Sequence, residues 1–207
     1  MGRRWTTFAA GLALIVICYL IQQLVARKYV VEAFHIRSAA MTPTLLPGDW
    51  ILVDKRAYRT REPRRGEVVV YDADGERFTS RIVGMPGDRV ELHDGALVVN
   101  GEKVREELAA DRDGSAKDLH LAQESLAGVR FLVAREPGRP ERELDEKVVE
   151  PGHYLVLSDF RNNAIDSRFR GTVDRTKLLG PVLPIYFSLD PAGGVRWSRI
   201  GRKVNGP

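Results

Sequence analysis

The run Ile36-Arg37-Ser38-Ala39-Ala40-Met41-Thr42-Pro43-Thr44-Leu45-Leu46-Pro47-Gly48-Asp49 combines one small hydroxyl residue, two alanines and a single apolar knob, Met41. Small side chains leave the backbone open. Its N–H groups, with the Ser38 hydroxyl, can then hold a peptide carbonyl or an oxyanion. Pro43 stops any helix, and Pro47-Gly48-Asp49 makes a tight turn before the apolar run Trp50-Ile51-Leu52-Val53. The pattern describes the floor of a groove. Other reactive types read as structural: Lys55 ends a strand, His93 lies beside Asp94 in a turn, and His120 packs between Leu119 and Leu121. No His/Cys/Asp spacing supports a metal site, and no cofactor is implied.

The elements that must position this groove are strands. Trp50 to Val53, Glu67 to Tyr71 and Arg77 to Val83 are apolar or alternating, and the last places Ser80 on the face opposite Thr79 and Arg81. Val90 to Leu92 and Leu97 to Val99, with turns at His93-Asp94-Gly95 and Asn100-Gly101, form a meander. From Glu102 to Glu150 charge is dense and apolar residues sparse, with strand character only at Val129–Val133 and Lys147–Val149, which predicts an inserted cap. His153 to Leu157, a long strand over Leu178–Leu189 interrupted by Pro181 and Pro184, and a short strand within Gly193–Ile200 complete the chain.

Three ordered motifs carry a family resemblance. Ser38-Ala39-Ala40-Met41-Thr42-Pro43-Thr44-Leu45, Ser80-Arg81-Ile82-Val83-Gly84-Met85-Pro86-Gly87-Asp88 and the box from Ser158 to Gly171 resemble the type I signal peptidases, membrane-anchored serine proteases with a Ser-Lys dyad. The likeness runs from the N-terminal anchor to about Pro184. It implies a signal-peptidase-like β-sheet or barrel domain with a variable cap. It also implies that position 40 is the nucleophile's, that position 80 is the general base's, and that Ser38 is an oxyanion donor. Ala40 and Met41 join Ser38 in peptide binding, while Asp166, Ser167 and Arg168 support the base region. Ser158, Phe160 and Ala164 depart from the third motif.

Ala40 and Ser80 leave the implied dyad without its nucleophile and without its base. A serine is activated only when a desolvated, neutral lysine can take its proton, and a hydroxyl at position 80 is far too weak a base. The resemblance therefore implies a signal peptidase family member that is catalytically inactive and binds peptides or regulates. One alternative is an active peptidase using Ser38, which shares a face with Ala40 if the segment is extended. Another is a structural subunit of a membrane complex.

Composition sets the outer bounds. The 207 residues carry 32 basic and 28 acidic side chains, net +4, an ordinary solvated surface without the aromatic-interleaved basic stripe of a nucleic-acid binder. Cys18 is the only cysteine, so no intrachain disulfide forms. Trp5 to Val25 is uncharged over about 21 residues, the length needed to cross a bilayer core as a helix. The expected organisation is a transmembrane signal-anchor over residues 1–28 and a β domain over 29–207 with its cap at about 102–150. The family likeness places that domain on the extracytoplasmic side of the plasma or inner membrane, with signal peptides of exported preproteins as partners.

Overall fold

The structure is a computed structural model that describes residues 12–19, 30–111, 114 and 116–205. Most of the Trp5–Val25 stretch lies outside these residues. The described part, 12–19, is helical with its apolar side chains exposed, and no described helix is long and apolar enough to cross a membrane.

The remainder is mainly β. In chain order the strands are β1 (Val31–His35), β2 (Asp49–Asp54), β3 (Val68–Ala73), β4 (Glu76–Gly84), β5 (Arg89–His93), β6 (Ala96–Val99) and β7 (Glu102–Lys103). They continue as β8 (Arg105–Leu108), β9 (His120–Leu126), β10 (Val129–Arg135), β11 (Leu144–Val148), β12 (His153–Leu157), β13 (Val173–Asp174) and β14 (Leu178–Ser188). Seven strands form one sheet in the order β1-β2-β14-β3-β4-β12-β13, and two smaller sheets run β11-β5-β6-β7 and β10-β9-β8. No sheet closes on itself, so among the described residues the barrel form of the expected fold is replaced by open sheets.

Alternation shapes β2, β5 and β6. β2 buries Asp49, Ile51 and Val53 and leaves the residues between them half-buried. The Asn100-Gly101 turn joins β6 and β7 with both residues at positive φ, 55° and 78°, as a two-residue hairpin requires. β14 runs through the interior of the large sheet despite its prolines: Pro184 falls where the pairing with β2 slips, at 182–185, and Pro181 sits opposite Val69 of β3 just beyond a slip at 178–180. Gly180 is needed there: a Cβ would stand 2.1 Å from the Asp54 carbonyl oxygen.

Three expectations are corrected. Residues 102–150 contain β8 and β9 as well as the two strands read from sequence, and Val104, Ala122, Leu126, Phe131 and Val133 share one core with Val83, Val90, Leu155 and Leu157. β8 is charged and exposed throughout, and polar residues among the buried ones of β9 masked its apolar face. His120 is exposed at the first position of β9, where the alternation turns Leu121 inward instead. The tail after β14 makes one isolated bridge, Leu189 to Val195, and a 3₁₀ turn over Trp197–Arg199 in place of a strand.

That turn has its own work. Arg199 grips the fully buried Asp49 carboxylate, Nη2 to Oδ2 at 2.6 Å and Nε to Oδ1 at 3.0 Å, and Arg196 Nη2 donates to the Pro47 carbonyl at 2.7 Å. The tail thereby fixes the 47–49 turn that closes the 36–49 segment.

Candidate functional site

The 36–49 segment is a loop pinned at its base and inserted at its middle. Ile36 N–H donates to the Asp49 carbonyl at 2.8 Å, and Gly48 N–H donates back to the Ile36 carbonyl at 2.9 Å. Met41 and Leu45, 2% and 0% exposed, plug into the core formed by Ile51, Val68, Val70 and Ile185. Burying two such side chains is worth roughly 1.5–3 kcal/mol each, enough to hold a loop without regular pairing.

Between these anchors the backbone turns. Thr42 N–H donates to the Ala39 carbonyl at 2.8 Å, and Leu45 N–H to the Met41 carbonyl at 2.9 Å. Ser38 to Met41 is therefore not the extended strip that the i, i+2 argument assumes. Ser38 and Ala40 still meet, because the Ala40 N–H donates to Ser38 Oγ at 3.1 Å. The Ala40 carbonyl accepts from Phe160 N–H at 2.9 Å, which fastens this turn to the 158–171 loop. Ser38 is exposed, and its own hydroxyl proton remains available to a ligand.

Ser80 lies in the interior of β4, paired with Val69 of β3, and is 1% exposed. Its Oγ is 3.2 Å from Ser158 Oγ at the end of β12. Burial pushes the neighbouring Tyr71 phenol up, and a hydrogen bond with Ser80 opposes that shift. Position 80 thus holds a small, hydrogen-bonded cluster of hydroxyls.

A charged frame stands behind it. Asp166 and Arg168 form a two-bond pair, Nε to Oδ1 at 2.9 Å and Nη2 to Oδ2 at 2.7 Å, with both side chains sealed from solvent. The same carboxylate accepts from Ser158 N–H at 2.9 Å, and Ser167 Oγ accepts from Val156 N–H at 2.9 Å. Asp166, Ser167 and Arg168 thereby fix the end of β12 that carries Ser158. Sequence reading missed a second pair of equal geometry. Arg81 Nε donates to Asp159 Oδ1 at 2.9 Å and Nη2 to Oδ2 at 2.6 Å, and the guanidinium lies 4.2 Å over the Phe131 ring. Each member adjoins a residue of the Ser80–Ser158 contact, which itself forms only in the tertiary structure.

A cleft of about 800 Å³ opens in front of these elements. Phe34, Ile36, Met41, Phe78, Ile165 and Phe169 give it an apolar wall. Ser38, Ser158, Asn162 and Asn163 supply polar groups, and Arg37, Arg77 and Arg139 supply charge. Among the described residues no lysine, aspartate or glutamate lines it, and Ser80 stays behind the wall. Lys55 is tied to Glu32 at 2.8 Å, bridging β1 and β2. His93 is exposed and stands 3.4 Å from Glu143. Among the described residues no three His, Cys, Asp or Glu side chains gather to hold a metal ion.

These features define a mainly β scaffold with a cleft at the joint between a small-residue loop and a braced second loop. The family described as "Signal peptidase, peptidase S26" matches residues 5–187, and the chain belongs to that family. It is similar to the signal peptidase I of Pseudomonas aeruginosa, 38% identical over 163 residues that cover 70% of this chain and 57% of that protein. A probable signal peptidase I-2 of Synechocystis is 32% identical over 175 residues, covering 81% and 68%. A crystal structure of a signal peptidase I from Enterococcus faecalis aligns with TM-score 0.38 and 23% identity over 58% of this chain and 97% of that one. The alignment thus spans little more than half the length of the Pseudomonas relative.

Proposed function

We propose that this chain is a signal peptidase homologue that does not hydrolyse peptide bonds and instead holds the extended signal-peptide segment of exported preproteins. One observation carries the reading: the cleft offers Ser38 and the Ala40 backbone but no lysine, and the hydroxyl at position 80 is buried against Ser158. Ala40 has no attacking atom. Ser80 is too weak a base to activate one, and in subtilisin loss of the nucleophile alone costs about 10⁶ in turnover. An extended peptide can still meet the free edge of β1, which ends the large sheet at the cleft, with an apolar side chain against Phe34 and Ile36. Residues Trp5–Val25 anchor the chain in the plasma or inner membrane with this domain outside the cytoplasm.

The main rival is an active peptidase, as the relatives' names describe those proteins. It would use Ser38, whose Oγ already accepts from the Ala40 N–H and which has no lysine beside it in the cleft.

The deciding experiment incubates the detergent-solubilised full chain with a model preprotein, beside an Ala40→Ser/Ser80→Lys double variant. No processing by the unaltered chain is expected, with cleavage gained by the double variant. Processing by the unaltered chain that disappears in Ser38→Ala would establish the rival.

A further inference from the structure

The charge of the cleft is one-sided. Among the described residues three arginines line it and no acidic side chain does. Two of the three are already matched: Arg77 Nη1 reaches Asp72 Oδ2 at 2.7 Å, and Arg139 Nη1 reaches Glu136 Oε2 at 3.1 Å. Arg37 has no ion pair or hydrogen bond among the described residues, is exposed, and directly precedes Ser38. The Ala40 N–H is taken by Ser38 Oγ, so the donors left without an acceptor are the Arg37 guanidinium and the Ser38 hydroxyl proton. An internal peptide carbonyl could accept from them but would leave the cation unmatched. A carboxylate has two acceptor oxygens and a full negative charge, so it satisfies both.

We propose that the cleft recognises the free C-terminal carboxylate of an extended peptide, seated on Arg37 and the Ser38 hydroxyl, which the Ala40 N–H holds in place. This rests on the peptide-holding function above and names the end of the peptide that is held. The apolar wall takes the side chains that precede the carboxylate, and Asn162 and Asn163 flank its polar rim. Because position 40 is a methyl group, the carboxylate meets no hydroxyl there. The fitting ligand is a peptide already cut, and the class of reaction that must supply it is hydrolysis of a peptide bond by another protein.

The test is fluorescence anisotropy with the detergent-solubilised full chain and one labelled peptide of apolar and small residues. The peptide is made with a free C-terminus and again as the C-terminal amide. The free acid is expected to bind about 10-fold more tightly, with the preference shrinking as salt rises. Arg37→Gln should bring the acid down to the amide's affinity and leave the amide unchanged, a result that misfolding cannot imitate. Equal affinity of acid and amide for the unaltered chain, or a preference surviving in Arg37→Gln, would overturn the carboxylate site while leaving peptide holding intact. Binding of neither form would remove both readings.

Discussion

The turn from Ser38 to Met41 and the frame behind it, built from Arg81, Asp159, Asp166 and Arg168, are neighbours with opposite characters. The turn is exposed at Ser38, held by two buried apolar plugs, and carries a methyl group where it faces the cleft. The frame is sealed, with each charge held by two bonds at 2.6–2.9 Å. Nothing in the frame's bonding requires a reactive group in front of it. A loop fixed by buried ion pairs keeps its shape because breaking one partner strands the other charge in a poor dielectric. The cleft's shape and its chemistry are therefore separable.

Four substitutions probe that separation, beginning with the frame. Asp159→Ala leaves Arg81 buried with only backbone carbonyls and one hydroxyl, and should cost about 3–5 kcal/mol in urea unfolding. A loss under 1 kcal/mol would show that the frame is dispensable. Gly84→Ala forces a Cβ to within 2.9 Å of Leu155 Cβ and Val90 Cγ2, so overpacking of roughly 1–3 kcal/mol is expected in the same assay. Ser80→Ala touches the border between frame and cleft. It removes one hydroxyl of the Ser80–Ser158 contact and should cost about 1 kcal/mol. By contrast Ser38→Ala, on the exposed turn, should stay within ~0.5 kcal/mol of the parent while weakening peptide binding. Unfolding caused by Ser38→Ala would erase the distinction.

The smallest effect lies away from the cleft and supplies a control. A hydrogen bond from Arg175, assisted by Tyr154, holds Glu62 below the ordinary glutamate value of 4.5. A depressed carboxylate stabilises the fold above its unfolded value and loses that contribution as pH falls through the folded one. NMR titration should find the Glu62 midpoint below 4.5, and Arg175→Gln should raise it without changing the cleft.

Much of the large sheet was legible because its strands are apolar runs bounded by turns, as in β2, β3 and β12. The 102–150 region was not. β8 is exposed along its whole length, Arg105, Glu106 and Glu107 included, while β9 carries Gln123 among its buried residues, and its apolar face appears only once that strand joins the core of Val83 and Leu155. Of the site residues, Ser38, Ala40, Met41 and the Asp166–Arg168 pair could be named from motif and spacing. Arg81–Asp159 could not, since nothing local to either residue requires the other.

By itself the sequence determined which atoms are present: no hydroxyl at position 40, no amine at position 80, and strands alternating about them. Covalent identity and side-chain period are local properties. Only the tertiary structure decided that Ser80 faces Ser158, 78 residues away, and that among the described residues Arg37 is the cation in the cleft left without a partner. Both depend on strand pairing across the sheet, and pairing is selected by the total burial of the fold, not by any stretch of chain on its own.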